Sequence, residues 1–187
     1  MLSAKRNTLE KDGWILEKIN DFSSISTFDC GDNDLNDFFS KDAQAHKEQL
    51  LAETYVLLQK RAKGLPVALI SLSNDVIRLE KIKGKIAIPQ GKGYRDWPAV
   101  KIGRFGVLKA FQGQNIGSFV INMIKCLFLS ENRTGCRFIT IDAYNKSSVI
   151  NFYEKNDFQL ISDKDSSKST RAMFFDLKRL QEVKIKC

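Results

Sequence analysis

The chain is poor in the residues that most often bind metals or build disulfide frameworks. Its 187 residues include one histidine, His46, and four cysteines. Cys30, Cys126, Cys136 and Cys187 are scattered without a C-x-x-C pair, so we expect neither disulfides nor a zinc site. His46 stands in a polar stretch predicted to be helical, and we do not expect it to be catalytic.

Long apolar runs are lacking as well. No segment reaches the roughly 18 to 20 apolar residues of a membrane span, and no apolar run of signal-peptide length follows residues 1–7. We therefore expect a cytoplasmic protein without a membrane segment. Neither an internal repeat nor an interdomain linker is visible, and an apolar content of 43% is enough for one sizeable core. The prediction is a single domain over residues 1–187.

The charge balance is basic, with 30 Lys and Arg against 22 Asp and Glu and a formal net charge of +8. Such an excess favours an anionic ligand or partner. Residues 78–96 are polar, basic and poorly patterned, which predicts a long loop bordering a site. For a nucleic-acid partner, the phosphate contacts would come from Lys81, Lys83, Lys85, Lys92 and Arg95. The alternative is a solvated basic loop, because no aromatic stacking platform accompanies it.

Alternating and periodic apolar patterns predict a mixed α/β fold. Three helices are predicted. The first follows a cap at Asp32 or Asn33 and has an apolar stripe of Leu35, Phe38 and Phe39. The second follows the turn near Gly117, and the third spans residues 147–156. Strands are predicted over residues 13–19, 54–59, 66–72, 97–107, 136–143 and 171–177.

An extended segment runs through a glycine-rich turn into an apolar helix between Arg104 and Ser118. Backbone N–H groups of a first helical turn have no partner within the helix, and the positive end of the helix dipole favours an anion. The segment that begins at Gln112 is too short for a Walker loop and contains no G-x-G-x-x-G fingerprint. Two interpretations are open here: a phosphate-binding turn, or a tight turn that binds nothing.

The turn resembles the Q/R-x-x-G-x-G/A pyrophosphate loop of the GNAT family of acetyl-CoA-dependent N-acetyltransferases. Asn115 stands at a position where the family usually has glycine, and a left-handed asparagine would keep the shape of the loop. The resemblance implies that coenzyme A contacts the backbone at Phe105, Gly106 and Val107 and binds its phosphates at Gln112, Gly113, Gln114, Asn115, Ile116, Gly117 and Ser118.

A second stretch, residues 151–158, resembles the F-Y-E-K-x-G-F segment that closes the GNAT acetyl-CoA site. Tyr153 stands at the position that often protonates the thiolate of coenzyme A, and a positioned phenol can supply that proton. The alternative is an aromatic side chain that packs under its helix. Asp157 replaces the customary glycine, and Asn145 lies eight residues before the tyrosine where seven is usual. The resemblance also implies a cofactor contact from Asn145.

A third stretch reads F-x-C-G-x-x-x-L-x-x-F from Phe28 to Phe38. It is an ordinary capped helix by pattern, but it also resembles the opening of the GNAT branch that includes acetyltransferase toxins of toxin-antitoxin pairs. That branch acetylates the amino group of aminoacyl-tRNA and pairs with ribbon-helix-helix antitoxins. The resemblance covers residues 14–177 and implies a mostly antiparallel sheet that splays at a V-shaped acetyl-CoA cleft, with flanking helices and no metal.

The expected activity is direct transfer of an acetyl group from acetyl-CoA to a primary amine, by a monomer or a homodimer. A backbone N–H near Val107 would polarise the thioester oxygen. No carboxylate occurs between Pro98 and Gln112, so the sequence names no general base. The rival interpretation is a catalytically silent module that binds coenzyme A or a protein partner, because Asn115 and Asp157 each replace a glycine.

Overall fold

The protein is described by a computed structural model that covers residues 8–61, 64–88, 93–130 and 134–182. These residues group into two compact units, Met1–Ser73 with Gly103–Leu127 and Asn74–Ile102 with Phe128–Cys187. We call them the first unit and the second unit. The predicted basic residue Lys92 lies outside the described residues.

The described chain forms one eight-stranded sheet in the order β1-β2-β3-β4-β5-β6-β8-β7. Antiparallel pairs join β1 to β2, β2 to β3, β3 to β4, β6 to β8 and β7 to β8, whereas β5 and β6 pair in parallel. The strands are β1 Thr8–Lys11, β2 Trp14–Lys18, β3 Glu53–Gln59, β4 Pro66–Arg78, β5 Asp96–Val107, β6 Phe138–Tyr144, β7 Gln159–Leu160 and β8 Thr170–Asp176.

Helices connect and flank these strands, which confirms the predicted mixed α/β fold with a mostly antiparallel sheet. The α-helices are α1 Asn33–Asp37, α2 Ala43–Glu48, α3 Leu79–Ile82, α4 Ile116–Ser130, α5 Ser147–Lys155 and α6 Lys178–Glu182. A π-helical segment, Phe38–Asp42, joins α1 to α2, and a 3₁₀ turn, Lys109–Phe111, lies between β5 and α4.

In the first unit, α1 begins as predicted. The Asp32 carboxylate accepts a hydrogen bond of 3.1 Å from the N–H of Leu35, which is the expected capping bond. Phe38 and Phe39 are buried, and they pack with Phe28, Val56 and other apolar residues between the helical segment and the sheet. The predicted apolar stripe therefore does anchor this helix.

In the second unit, the core lies around Ile77, Phe138 and Phe174. Beside it, the guanidinium of Arg137 donates two hydrogen bonds, of 3.0 and 2.8 Å, to the buried carboxylate of Asp176. The same guanidinium lies 4.6 Å from the ring centre of Trp97. Planar guanidinium favours both contacts at once, so this pair ties β6 to β8 next to the core.

Several boundaries differ from those predicted. Residues 8–11, which carried no strand prediction, pair with β2 as a short antiparallel edge strand. β4 continues to Arg78, and α3 follows at once, so the predicted long loop begins with ordered structure. β6 begins at Phe138 rather than at residue 136. The local sequence pattern did not predict these strand boundaries, because they depend on hydrogen bonding to neighbouring strands.

The expectation that no disulfide forms is wrong for Cys126 of α4, which is disulfide-bonded. Scattered spacing gave no sign of this bond, because a disulfide depends on the distance between two cysteines in the fold.

Candidate functional site

The end of β5 is in close contact with the segment around Phe28 and Cys30. A methyl group added at Gly106 would lie 3.1 Å from Cys30 Sγ and 3.3 Å from a ring carbon of Phe28. These distances are shorter than ordinary van der Waals contacts, so a larger residue at this position would require the side chain of Cys30 or Phe28 to move by a few tenths of an ångström. The absent side chain of Gly106 thus leaves room for the F-x-C-G segment, and the contact of its backbone with coenzyme A stays a prediction.

Gln112, the first residue of the predicted pyrophosphate loop, bridges the same two segments. Its side-chain amide donates hydrogen bonds of 2.7 Å to the carbonyl of Cys30 and 2.9 Å to the carbonyl of Val107. Both hydrogens of the amide are thereby used within the protein. The side chain of Gln112 therefore fixes the turn, and the contact of Gln112 with coenzyme A stays a prediction.

An ion pair reinforces this bridge. Lys109 Nζ lies 2.7 Å from a carboxylate oxygen of Asp29, and the backbone N–H of Lys109 donates to the carbonyl of Asp29. Asn36 and the N–H of Gly31 donate to the same carboxylate, at 2.8 Å each. Hydrogen bonds from Lys109, Asn36 and the N–H of Gly31, in decreasing order of effect, lower the pKa of the Asp29 carboxyl to about 2. Asp29 therefore stays ionised and paired throughout the physiological range.

Arg104 packs against the helical segment of the first unit. Its guanidinium lies 5.2 Å from the ring centre of Phe38, and its Nε lies 3.7 Å from the carboxylate of Asp34. These contacts favour a role for Arg104 in bracing the edge of the strand.

The turn itself has the predicted backbone geometry. Asn115 has φ 61° and Gly113 has φ 75°, so both are left-handed, and Asn115 occupies this conformation as its place in the loop required. The carbonyl of Asn115 accepts a hydrogen bond of 3.0 Å from the N–H of Phe119, which opens α4. The N–H groups of Ile116 and Gly117 therefore lie in the first turn of a 15-residue helix. This arrangement can bind an anion.

Strand parity orients the backbone just before the turn. The N–H of Leu108 donates a hydrogen bond of 2.9 Å to the carbonyl of Val67 in β4. Because polar groups of successive strand residues point in opposite directions, the N–H and C=O groups of Phe105 and Val107 point away from β4. The carbonyl of Val107 is used by Gln112. The N–H of Val107 therefore points away from β4, and its contact with coenzyme A stays a prediction.

Tyr153 lies on α5 in the second unit and is only 4% exposed. Its ring makes T-shaped contacts with Phe152, at 4.9 Å between centroids, and with Phe158, at 5.4 Å. Burial raises the pKa of its hydroxyl, so the phenol keeps its proton. Packing of this kind is what the core-aromatic interpretation predicts. A role as the acid stays a prediction.

Asp157 completes the end of α5. It has φ 64°, and Phe158 N–H donates a hydrogen bond of 3.0 Å to the carbonyl of Tyr153. Left-handed residues of this kind commonly end helices, and glycine is the usual choice. Aspartate tolerates the conformation better than most other residues, which explains how the chain keeps this helix end without glycine.

Asn145 braces the loop before β8. Its side-chain nitrogen donates 2.8 Å hydrogen bonds to the carbonyls of Ser166 and Lys168, and its N–H donates to the carbonyl of Ser169. Both amide hydrogens are therefore used within the second unit. The remaining side-chain atom that Asn145 can offer a ligand is its carbonyl oxygen.

The two free cysteines among the described residues are poor nucleophiles. Burial raises the pKa of the Cys30 thiol, and burial raises the pKa of Cys136 to about 11. The reactive form of cysteine is the thiolate, so both groups are unreactive near neutral pH. His46, the one histidine, contacts the ring of Phe38 at 5.2 Å between centroids.

The described part of the predicted basic loop is held by backbone contacts. Lys85 Nζ donates a 2.6 Å hydrogen bond to the carbonyl of Leu160, and Lys83 and Ile86 form an isolated β-bridge. The carbonyl of Arg95 accepts from the N–H of Leu79. Lys81 and Lys83 are exposed on this stretch.

Two further properties concern the described residues as a whole. Their histidine, cysteine and acidic side chains form no cluster of three that could hold a metal ion. No helix within these ranges combines the length and the apolar character that crossing a membrane requires.

No family model matches the chain. Solved structures of toxins do share its fold. A mutant of the toxin KacT is 20% identical, with 92% of this chain and 99% of that chain covered and a TM-score of 0.72. AtaT complexed with acetyl-methionyl-tRNAfMet is 17% identical, with coverages of 92% and 99% and a TM-score of 0.69.

A third structure is a mutant AtaT toxin bound to the C-terminus of the antitoxin AtaR and acetyl-CoA. It is 16% identical, with coverages of 94% and 100% and a TM-score of 0.66. At these identities the likeness establishes the fold, which is the GNAT fold that the motifs predicted.

Substitutions at Asn115 test the left-handed turn. Asn115→Ala is expected to lower the free energy of unfolding by about 1 kcal/mol, because alanine resists this conformation. Asn115→Gly should retain wild-type stability, since glycine adopts it freely. Urea unfolding of both variants checks the prediction. Equal losses in the two would show that the side chain of Asn115, rather than its φ, stabilises the turn.

Proposed function

We propose that the chain is an acetyl-CoA-dependent N-acetyltransferase that transfers the acetyl group to a primary amine, with aminoacyl-tRNA as the acceptor class. The observation that carries this proposal is the left-handed turn at Gly113 and Asn115 that opens α4. A turn of this kind presents N–H groups and the positive end of a helix dipole to an anion. Its position directly after β5 matches the GNAT pyrophosphate loop.

The phosphates of acetyl-CoA would be held by the backbone of the loop. An added methyl group at Gly113 would meet no atom within 4 Å, so a ligand has room beside this residue. The side chain of Gln112 contributes by fixing the loop, through its bonds to the carbonyls of Cys30 and Val107. We assign phosphate binding to the backbone of Gly113, Gln114, Asn115, Ile116, Gly117 and Ser118.

The acyl end would pair with the backbone at the end of β5. Strand parity directs the N–H of Val107 away from β4, and that N–H is the group we assign to the thioester oxygen. Phe105 shares this orientation, while Gly106 serves mainly to admit the Phe28–Cys30 segment. The side-chain nitrogen of Asn145 braces the loop before β8. We assign the contact of Asn145 with the cofactor to its side-chain carbonyl oxygen.

Direct attack by the amine fits the chemistry of the described side chains better than a covalent enzyme intermediate. Cys30 and Cys136 both have raised pKa values, so neither supplies a thiolate. A neutral amine would attack the acetyl carbon, the C–S bond would break, and Tyr153 would protonate the sulfur. The proton that the attacking nitrogen loses would leave through ordered water, which returns a proton to the phenolate of Tyr153. A phenol with a raised pKa arrives protonated, as an acid must.

The acceptor and the partner are proposed from charge and fold together. AtaT has been solved with acetyl-methionyl-tRNAfMet and, as a mutant toxin, with part of the antitoxin AtaR. The net charge of +8 suits a phosphate-rich acceptor, and Lys81 and Lys83 are exposed for that purpose. We propose in addition that the chain pairs with a ribbon-helix-helix antitoxin, that it is cytoplasmic and that it forms a homodimer.

We also propose that residues 1–187 act as a single domain. Strands β4 and β5 each begin in one compact unit and end in the other. Separating the units would cut both strands.

Thiol release from acetyl-CoA tests the function. The purified protein would be offered pooled aminoacyl-tRNA, lysine peptides and small amines, with calorimetric binding of acetyl-CoA measured alongside. Release with charged tRNA is the expected result. Release with a peptide or a small amine alone would show that the protein is an acetyltransferase whose acceptor is not aminoacyl-tRNA. Binding of acetyl-CoA without release would establish the silent module instead.

Substitution of Tyr153 tests the assigned acid in the same assay. Tyr153→Phe is expected to lower turnover about 100-fold, which is within the usual contribution of general acid catalysis. The affinity for acetyl-CoA should change little, because the ring contacts with Phe152 and Phe158 remain. Tyr55→Phe is the matched control, since Tyr55 is also a buried tyrosine whose pKa burial raises, to about 12. Unchanged turnover in Tyr153→Phe would show that Tyr153 is an aromatic residue of the core and not the acid.

A further inference from the structure

Arg104 lies on β5 three residues before Val107, the residue whose N–H we assign to the thioester oxygen. Both residues belong to the first unit. A strand rises about 3.3 Å per residue, so about 10 Å separates the two residues along β5. The side chain of Arg104 is 41% exposed and is therefore accessible to a ligand.

The hydrogen-bonding capacity of the Arg104 guanidinium is largely unused. A guanidinium has five N–H groups. Within the described ranges it forms one hydrogen bond, from Nη1 to the carbonyl of Gly103 at 3.0 Å. Nε is enclosed by protein atoms and has no hydrogen-bond partner there, and Asp34 Oδ2, at 3.7 Å, is too distant to accept from it. The other three N–H groups are left for a ligand.

Packing holds this guanidinium in place. It lies 5.2 Å from the ring centre of Phe38, which is buried in the core of the first unit. A cation–π contact fixes the position of the group without using its N–H donors. The fork of donors matches two oxygens of a phosphate, and a fork that is already held loses little conformational freedom on binding. Arg104 is therefore suited to bind a phosphate.

The distance to Val107 matches the dimensions of one class of acceptor. In an aminoacyl-adenosine, a chain of single bonds joins the α-amine to the 5′ phosphate and spans about 10 Å when extended. An amine at the acetyl carbon would therefore place this phosphate near Arg104. The side chain of a lysine, which ends in its amine, carries no phosphate at this separation.

We propose that Arg104 binds the 5′ phosphate of the terminal aminoacyl-adenosine of the acceptor while the amine faces the thioester. This assignment rests on the proposed acetyltransferase function and adds a specificity-determining residue to it. Arg104 takes no part in bond making. Asp34 weakens the binding, because its carboxylate lies beside the guanidinium and repels the phosphate.

Binding of puromycin tests the assignment without acetyl transfer. Puromycin is an aminoacyl-adenosine analogue with a free α-amine, and puromycin 5′-phosphate differs from it only by the phosphate. Calorimetry would measure the affinity for both in the presence of coenzyme A, which has no acetyl group to transfer. Wild type should bind the phosphate form about tenfold more tightly, as a charge-assisted hydrogen bond allows. Equal affinities would overturn the assignment.

Arg104→Gln should lower the affinity for puromycin 5′-phosphate about tenfold and leave the affinity for puromycin unchanged, which also shows that the variant folds. Arg78→Gln is the matched control. Arg78 is exposed, has long contacts of 3.9 and 4.0 Å with Glu80 and Asp96, and lies in the second unit, so this variant should bind as wild type does. An Arg104→Gln variant that keeps the preference for the phosphate would overturn the assignment.

A second variant acts in the opposite direction. Asp34→Asn removes the carboxylate beside the guanidinium, so it should tighten the binding of puromycin 5′-phosphate about threefold and leave puromycin unchanged. Damage to the fold does not produce a gain in affinity, so this variant decides the question even where Arg104→Gln fails to fold. An Asp34→Asn variant that binds the phosphate form no more tightly than wild type does would overturn the role of Arg104.

Thiol release separates the two proposals. If wild type acetylates puromycin 5′-phosphate and Arg104→Gln raises its KM about tenfold with kcat retained, both stand. Release with an unchanged KM would overturn the role of Arg104 and leave the acetyltransferase function intact. If no amine supports release by wild type while binding still prefers the phosphate through Arg104, the proposed function fails, and with it the role of Arg104 in selecting an acceptor.

Discussion

The first unit depends on how the Phe28–Cys30 segment is fastened to the end of β5. The side chain of Gln112 donates to the carbonyls of Cys30 and Val107, and Gly106 leaves room for the side chains of Cys30 and Phe28. The Asp29–Lys109 ion pair closes the same contact. These contacts hold the start of the turn before α4 against a segment that is distant along the chain.

Left-handed residues give the two motif regions their shape. Asn115, at φ 61°, precedes α4, and Asp157, at φ 64°, follows α5. Each stands where the GNAT resemblance has glycine, and each side chain belongs to the small group that accepts this conformation at modest cost. The departures from the motif are thus conservative in backbone terms. They weaken the case for a silent module, because Asn115 and Asp157 adopt the left-handed conformation that glycine usually supplies at these positions.

Much of the fold and part of the site could be predicted from the sequence, because periodicity, the Asp32 cap and the left-handed Asn115 are local properties. The roles of Gly106 and Gln112 could not, because their contacts come from residues far away along the chain. Positions such as 8–11 became a strand only through pairing.

The central claim is that the turn before α4 binds the phosphates of acetyl-CoA through its backbone. Titration of the ¹⁵N-labelled protein with acetyl-CoA tests it most directly, by following the amide signals. The account predicts saturable shifts that are largest at Gly113, Asn115, Ile116 and Gly117, and at Val107. Binding that leaves these amides unchanged, or the absence of any binding, would contradict it.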